Sequence, residues 1–170
     1  MAKVKLGQGI AGLFVIGILI VFVVGLKVQG DTVGVGDKAY DFVLEGYDNT
    51  SYQLSDFQGQ TVILNFFSTW CQPCESQVPD MLALSKEYAD DVLVFTIVKT
   101  ESKRAVERFI DRTGYEDKLY LFDFDLSVSE RYGITGQPET VIIDKEGVIA
   151  DHIIGSVTKE YIVEHITALQ

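Results

Sequence analysis

Val62 to Phe67 is a short, β-branched and aromatic run, and three residues later comes Cys71-Gln72-Pro73-Cys74, which holds the only two cysteines of the chain. A run of that kind is what a strand buried on both faces shows. The cysteine pair therefore sits where a buried strand hands over to a helix. There, backbone N–H groups without partners and the positive end of the helix dipole favour thiolate over thiol. Cys71 is expected as an exposed, acidified nucleophile, and Cys74, one turn inside, as the thiol that attacks a mixed disulfide and releases the product. Other uses of the pair fit less well. A four-residue disulfide ring removes little entropy from the unfolded chain and staples nothing distant. Zinc needs four ligands, and His152 and His165 are not spaced as a second knuckle, so no metal is expected.

The rest of the chain can support such a site. At 170 residues and 47% hydrophobic content it has material for one well-filled domain. Residues 10–26 carry no charge and no proline, with Lys3 and Lys5 before them and Lys27 after. At about 1.5 Å per residue they cover roughly 26 Å, slightly less than a hydrocarbon core, and the flanking lysines can snorkel. The expectation is an uncleaved N-terminal signal anchor over residues 1–29, with a cleaved signal peptide as the competing reading. The basic start places the N-terminus in the cytoplasm and all that follows outside it, on the extracytoplasmic side of the cell membrane. All 25 acidic residues lie after residue 30 but only 11 of the 14 basic ones, so the outer domain carries 11 − 25 = −14. That charge argues against nucleic acid or anionic lipid as its ligand.

Residues 30–37 are glycine-rich and read as a linker, with the domain at 38–170. Phe42–Leu44 and Tyr52–Leu54 flank a polar turn and predict a β-hairpin. The Asn49-Thr50-Ser51 sequon in that turn is read as turn chemistry. Helix is expected from about Cys74 to Ala89, with Val78, Met81, Leu82 and Ser85 or Tyr88 inward and Pro79 bending it. Val92–Val98 and Leu119–Phe122 predict strands, and Ser102–Arg112 a surface helix with Val106, Phe109 and Ile110 inward. Leu126–Tyr132 reads as a helical turn or two. Thr140–Ile143 and Val148–Ile154 form a second hairpin, and a last helix buries Ile162, Ile166 and Leu169. Alternating strands and helices ending in a hairpin define an α/β domain with a mixed sheet. Asp123 and Asp125 are read as surface or turn residues, and His152 and His165 as strand-face and helix-face residues without a catalytic role.

"NFFSTWCQPC" resembles the active-site segment of the thioredoxin superfamily. The longer "GDKAYDFVLEGYDNTSYQLSDFQGQTVILNFFSTWCQPC" is similar to the membrane-anchored TlpA/ResA/DsbE thiol-disulfide oxidoreductases, and "YGITGQPETVIIDKEGVI" resembles that group's second signature. The resemblance implies a thioredoxin-like fold with a mixed central sheet, an N-terminal β-hairpin and helices on both faces, preceded by one transmembrane helix. It implies that Pro138 is a cis-proline facing the disulfide, that Gln137 offers its backbone to an extended substrate segment, and that Trp70 is a flat apolar platform beside Cys71. Glu139 matches the acid of the "PET" form and is the candidate to shuttle a proton to Cys74. Two positions depart from the pattern: Asn65 stands where ordinary thioredoxins carry a buried aspartate, and Gln77 where many branch members carry glutamate.

The implied function is reduction of client-protein disulfides outside the cytoplasm, with apocytochrome c as one such client in the family and a membrane thiol carrier as electron donor. No bound cofactor is needed beyond the Cys71–Cys74 disulfide. Gln72-Pro73 contains no histidine to stabilise the thiolate, which predicts a reducing poise, nearer about −270 mV than about −120 mV. The alternatives are a thiol peroxidase of the peroxiredoxin type and a non-enzymatic tethered assembly chaperone.

Overall fold

A computed structural model of the chain describes residues 15–19, 32–116 and 119–168. It divides into two units, Met1–Asp31 and Thr32–Gln170. In the first, residues 15–19 are helical and the side chains of Val15, Ile16, Ile18 and Leu19 are exposed. The remainder of the expected spanning run lies outside the described residues. Among the described residues no helix is long and apolar enough to cross a membrane.

The second unit is built on seven strands: β1 Val43–Gly46, β2 Ser51–Gln53, β3 Thr61–Phe67, β4 Val92–Lys99, β5 Leu119–Asp123, β6 Glu139–Ile143 and β7 Ile149–Ile154. Their order across the sheet is β2-β1-β5-β4-β3-β6-β7. β4 runs parallel to both β3 and β5, and the other neighbours are antiparallel, so the sheet is mixed as expected. Among the described residues four α-helices, α1 Gln72–Glu87, α2 Lys103–Thr113, α3 Ser127–Arg131 and α4 Lys159–Ala168, and a 3-10 turn at Leu54–Phe57 complete it.

Period-two alternation assigns each side chain to a face. In β3 every residue is buried, because the strand lies inside the sheet and both its faces are covered. Val62, Leu64 and Phe66 join Val141, Ile143, Val128 and Tyr132 in one cluster, under α3 and the β1–β2 hairpin. Ile63 and Phe67 point the other way. Ile63 packs with Met81, Leu84, Ile162 and Ile166 from α1 and α4, and Phe67 with Val78, Val106 and Phe109 from α1 and α2. Cys71 and Cys74 belong to that second face.

Several local expectations need correcting. The stretch expected as a linker is, from Val33 on, hydrogen-bonded to the domain: Val33 N–H donates to the Arg131 carbonyl and Gly36 N–H to the Ile149 carbonyl. Along α1, Leu84 is fully buried and was not expected, while Leu82 and Tyr88 are partly buried against the core as expected. Asp123 is not a surface residue. It is fully buried at the end of β5 and accepts hydrogen bonds from the Val128 and Ser129 N–H groups and from the Ser129 hydroxyl, which ties α3 to the sheet. Its partner in the D-x-D, Asp125, does sit in a turn, accepting from Ser127 N–H. The surface helix α2 is bounded by a Ser102 side-chain cap on Ala105 N–H and by Gly114 at φ 74°. Leu169 lies outside the described residues.

Candidate active site

Strand β3 ends at Phe67, and four residues later the chain turns into α1 with Cys71 as its N-cap. The cap is made by sulfur: Cys74 N–H donates to Cys71 Sγ at 3.2 Å. Pro73 occupies the first turn, where no N–H is required. Cys71 and Cys74 are joined as a disulfide with their Cα atoms 5.2 Å apart. One sulfur thus already receives a backbone N–H at the positive end of a sixteen-residue helix, the setting that stabilises a thiolate once the bond is reduced.

Cys71 is less open than the sequence suggests. It is 6% exposed against 2% for Cys74, and both belong to the buried cluster that holds Phe67, Val78, Val106 and Phe109. Trp70 stands 72% exposed immediately before Cys71. The Gln137–Pro138 peptide bond is cis, and the Gln137 carbonyl oxygen lies 3.7 Å from Cys71 Sγ. A disulfide sulfur carries no proton, so in this oxidised form the approach is a contact and becomes a possible S–H···O hydrogen bond only after reduction. Cys71, Cys74, Trp70, Gln137 and Pro138 are therefore brought together at one end of the sheet.

Glu139 is placed differently. It pairs with Phe66 across β3–β6, and Thr140 pairs with Asn65. Phe66 belongs to the cluster on the sheet face opposite the disulfide, so the Glu139 side chain leaves the strand on that opposite face. It is 1% exposed. Its Oε1 accepts from Thr135 N–H at 2.9 Å, the Thr135 hydroxyl at 3.0 Å and Gly136 N–H at 2.6 Å, and its Oε2 meets His152 Nε2 at 2.8 Å. Burial alone would raise this carboxyl, but the hydrogen bonds from His152, Gly136 and Thr135 outweigh it and hold the group below the ordinary glutamate range. The acid thus organises the loop before the cis-proline, and its partners are that loop and His152.

The polar groups on the disulfide's own face are neutral amides and hydroxyls. Asn65 Nδ2 donates to Thr140 Oγ1 at 3.2 Å, and Gln77 Oε1 accepts from Val157 N–H at 3.2 Å. Neither departure from the thioredoxin pattern is made good by a carboxylate here. Charges lie at the rim instead. Arg112 of α2 grips Glu75 of the first turn of α1 through two bonds of 2.9 and 2.7 Å, and its hydrogen bond lowers the Glu75 pKa. Glu101, beyond β4, accepts from Thr69 N–H at 2.8 Å and from the Thr69 hydroxyl, holding the segment that leads to Trp70 and Cys71.

Glu101 escaped the sequence reading; His152 was read as a strand-face residue, which it is on β7, but without its bond to Glu139. Glu101 lies 32 positions from Thr69, and no local spacing signals that contact. For His152 a signal existed in the antiparallel hairpin, which sets residues of β7 opposite those of β6 on a predictable face.

Comparison with known proteins bears on this geometry. The AhpC/TSA family model matches residues 35–152. The thiol-disulfide oxidoreductase ResA of Geobacillus thermodenitrificans is 36% identical over 139 residues, 81% of this chain and 79% of the relative. Among solved structures, a putative thiol:disulfide interchange protein DsbE from Chlorobium tepidum superposes with a TM-score of 0.74 at 28% identity, covering 81% of this chain and 99% of that one. The pneumococcal lipoprotein thioredoxin Etrx1 gives a TM-score of 0.71 at 31% identity, covering 76% and 100%. A redox-active C-x-x-C capping a helix on this sheet defines a thiol-disulfide oxidoreductase of the thioredoxin fold. More narrowly, the chain belongs to the AhpC/TSA family and, within it, to the ResA- and DsbE-like oxidoreductases.

Proposed function

We propose that this protein reduces disulfides of client proteins outside the cytoplasm, tethered to the membrane by its N-terminal segment. The observation that carries the chemistry is the Cys71–Cys74 disulfide at the start of α1 with the Gln137 carbonyl beside its outer sulfur. In the reduced protein the Cys71 thiolate attacks one sulfur of a client disulfide. The other client sulfur leaves as a thiolate and takes a proton from water. Cys74 then gives up its proton and attacks Cys71 Sγ, which expels the second client sulfur and closes Cys71–Cys74. Two electrons have passed to the client, and a membrane thiol carrier returns them by the reverse exchange.

Trp70 supports the client from one side as an apolar platform, and the backbone at Gln137 pairs with an extended segment on the other. The lack of histidine between the cysteines supports the reducing direction. Apocytochrome c is one client that the family likeness suggests. Glu139, whose side chain faces away from the sulfurs, acts on the site through the loop it holds, which carries the Gln137 carbonyl beside Cys71. The exposed apolar helix at residues 15–19 supports a lipid-embedded anchor. The test is to express Cys74→Ala in cells, trap the mixed disulfides on Cys71 and identify the partners. Recovery of an extracytoplasmic disulfide protein together with a membrane thiol protein is the expected result; exclusively cytoplasmic partners would overturn the reading.

A further inference from the structure

Antiparallel pairing sets Val141 opposite His152 and Glu139 opposite Ile154, so His152 and Glu139 are diagonal neighbours on one face of the sheet. The imidazole is 20% exposed and its Nε2 lies 2.8 Å from Glu139 Oε2. Because Glu139 is held below the usual glutamate range, it is an ionised, accept-only group at neutral pH, and Nε2 must carry the proton between them. The other Glu139 oxygen is filled by the Thr135 N–H and hydroxyl and the Gly136 N–H. Gly136 is followed by Gln137, whose carbonyl oxygen is the group 3.7 Å from Cys71 Sγ. A short chain of contacts therefore runs from an imidazole on β7, around the edge of the sheet, to the reactive sulfur on its other face.

We propose that His152 is a positioning residue: by fixing the Glu139 carboxylate it sets the Thr135–Pro138 loop and so the distance between the Gln137 carbonyl and Cys71. The inference rests on the exchange chemistry proposed above, which gives that distance its functional meaning. The physical sense of the effect can be worked out. In the reduced protein, a carbonyl oxygen near Cys71 Sγ accepts from the thiol and stabilises the neutral form. If the carboxylate loses its imidazole partner, the loop relaxes, the carbonyl withdraws and the thiolate becomes easier to form. Among the charged groups around the site, Lys99 of β4 also touches this loop, its Nζ lying 3.5 Å from the Gly136 carbonyl oxygen, whereas Glu75 bonds Arg112 and Glu101 bonds Thr69, neither of them through His152.

The experiment uses the full chain, reduced, as wild type, His152→Ala and His152→Gln. Cys71 is titrated by its rate of carboxymethylation against pH, and the Gly136 and Gln137 amides are followed by NMR. His152→Ala is expected to raise the acid dissociation constant of Cys71 about threefold and to displace both amide signals. His152→Gln, whose amide N–H still donates to Glu139, returns both towards wild type. A purely structural role lowers the melting temperature of His152→Ala while leaving the Cys71 titration and the Gln137 amide in place, and that result overturns the proposal. So does a glutamine variant that behaves as alanine does. Failure of the wild type to exchange with 5,5′-dithiobis(2-nitrobenzoate) would sink the exchange reading instead, and the titration and amide signals report on the loop regardless.

Discussion

The carbonyl oxygen of Gln137 stands 3.7 Å from Cys71 Sγ, although the two residues are 66 positions apart. Sheet pairing between β3 and β6 makes that meeting possible, since it brings the start of β6 beside the end of β3. With Cys74 N–H on the same sulfur, the outer cysteine has a backbone group on either side and the inner one is packed away.

The first expectation follows from that asymmetry. In the reduced protein iodoacetamide should label Cys71 at least about tenfold faster than Cys74 at neutral pH, because thiolate character and access both favour it. Peptide mapping after brief labelling measures the ratio. Cys71→Ser should abolish disulfide exchange, whereas Cys74→Ala should still form the mixed disulfide and stall there. Equal labelling of the two cysteines contradicts the assignment of roles.

Asn65→Asp places a carboxyl on a buried strand where the native amide donates to Thr140. Burial raises the pKa of such a carboxyl in the folded state. The sign follows from linkage. The folded state holds the proton more tightly than the unfolded one, so the variant is most stable below the unfolded value and loses stability as pH rises towards the folded one. A cost of about 1–3 kcal/mol at neutral pH is expected from the desolvated group. Urea titrations at pH 4 and pH 7 should show a gap between variant and wild type that widens with pH.

Glu139 has the opposite sign. Its folded pKa lies below the ordinary glutamate value, so its contribution is fully present above the unfolded value and is lost as pH falls through the folded one. Wild-type stability should therefore drop on the acid side of about pH 4.3. Glu139→Ala should flatten that part of the drop while costing about 1–3 kcal/mol at neutral pH, since the Thr135 and Gly136 N–H groups lose their acceptor. Denaturation midpoints between pH 3 and pH 7 give both quantities, and an acid limb unchanged in the variant would count against this account.

Glu101 holds Thr69 through the backbone and the hydroxyl, and so fixes the chain two residues before Cys71. Glu101→Ala should lower stability by about 1–3 kcal/mol and raise the amide exchange rates of Thr69 and Trp70. Hydrogen exchange followed by mass spectrometry reads the second effect. Protection at Thr69 unchanged from wild type would show that the segment is held by something else.

Much of the architecture was legible because it is written locally. The β-branched runs at Val62 and Val92 and the helical spacing of Val106, Phe109 and Ile110 each declare an element from its own neighbourhood, and the boundaries agree with the structure to within a residue or two. The cysteine pair, the cis-proline and the exposed Trp70 were legible through spacing and resemblance. What stayed hidden depends on partners distant in sequence or on the side of a strand a residue faces. Asp123 looked like a turn residue because its α3 donors are recognisable only once β5 and α3 are packed together. Glu139 was read towards the sulfurs because it follows Pro138, yet neighbours along a strand point to opposite faces, and its register with Phe66 sends it away from them. Cys71 was expected in the open because a nucleophile must be reached, but it is 6% exposed and belongs to the buried cluster of Phe67, Val106 and Phe109.

Trp70 is the only indole in the chain, and it projects into water one residue from the disulfide. A disulfide quenches a neighbouring excited indole more strongly than a pair of thiols does, so reduction of Cys71–Cys74 is expected to change the emission of this single indole, with no second one to subtract.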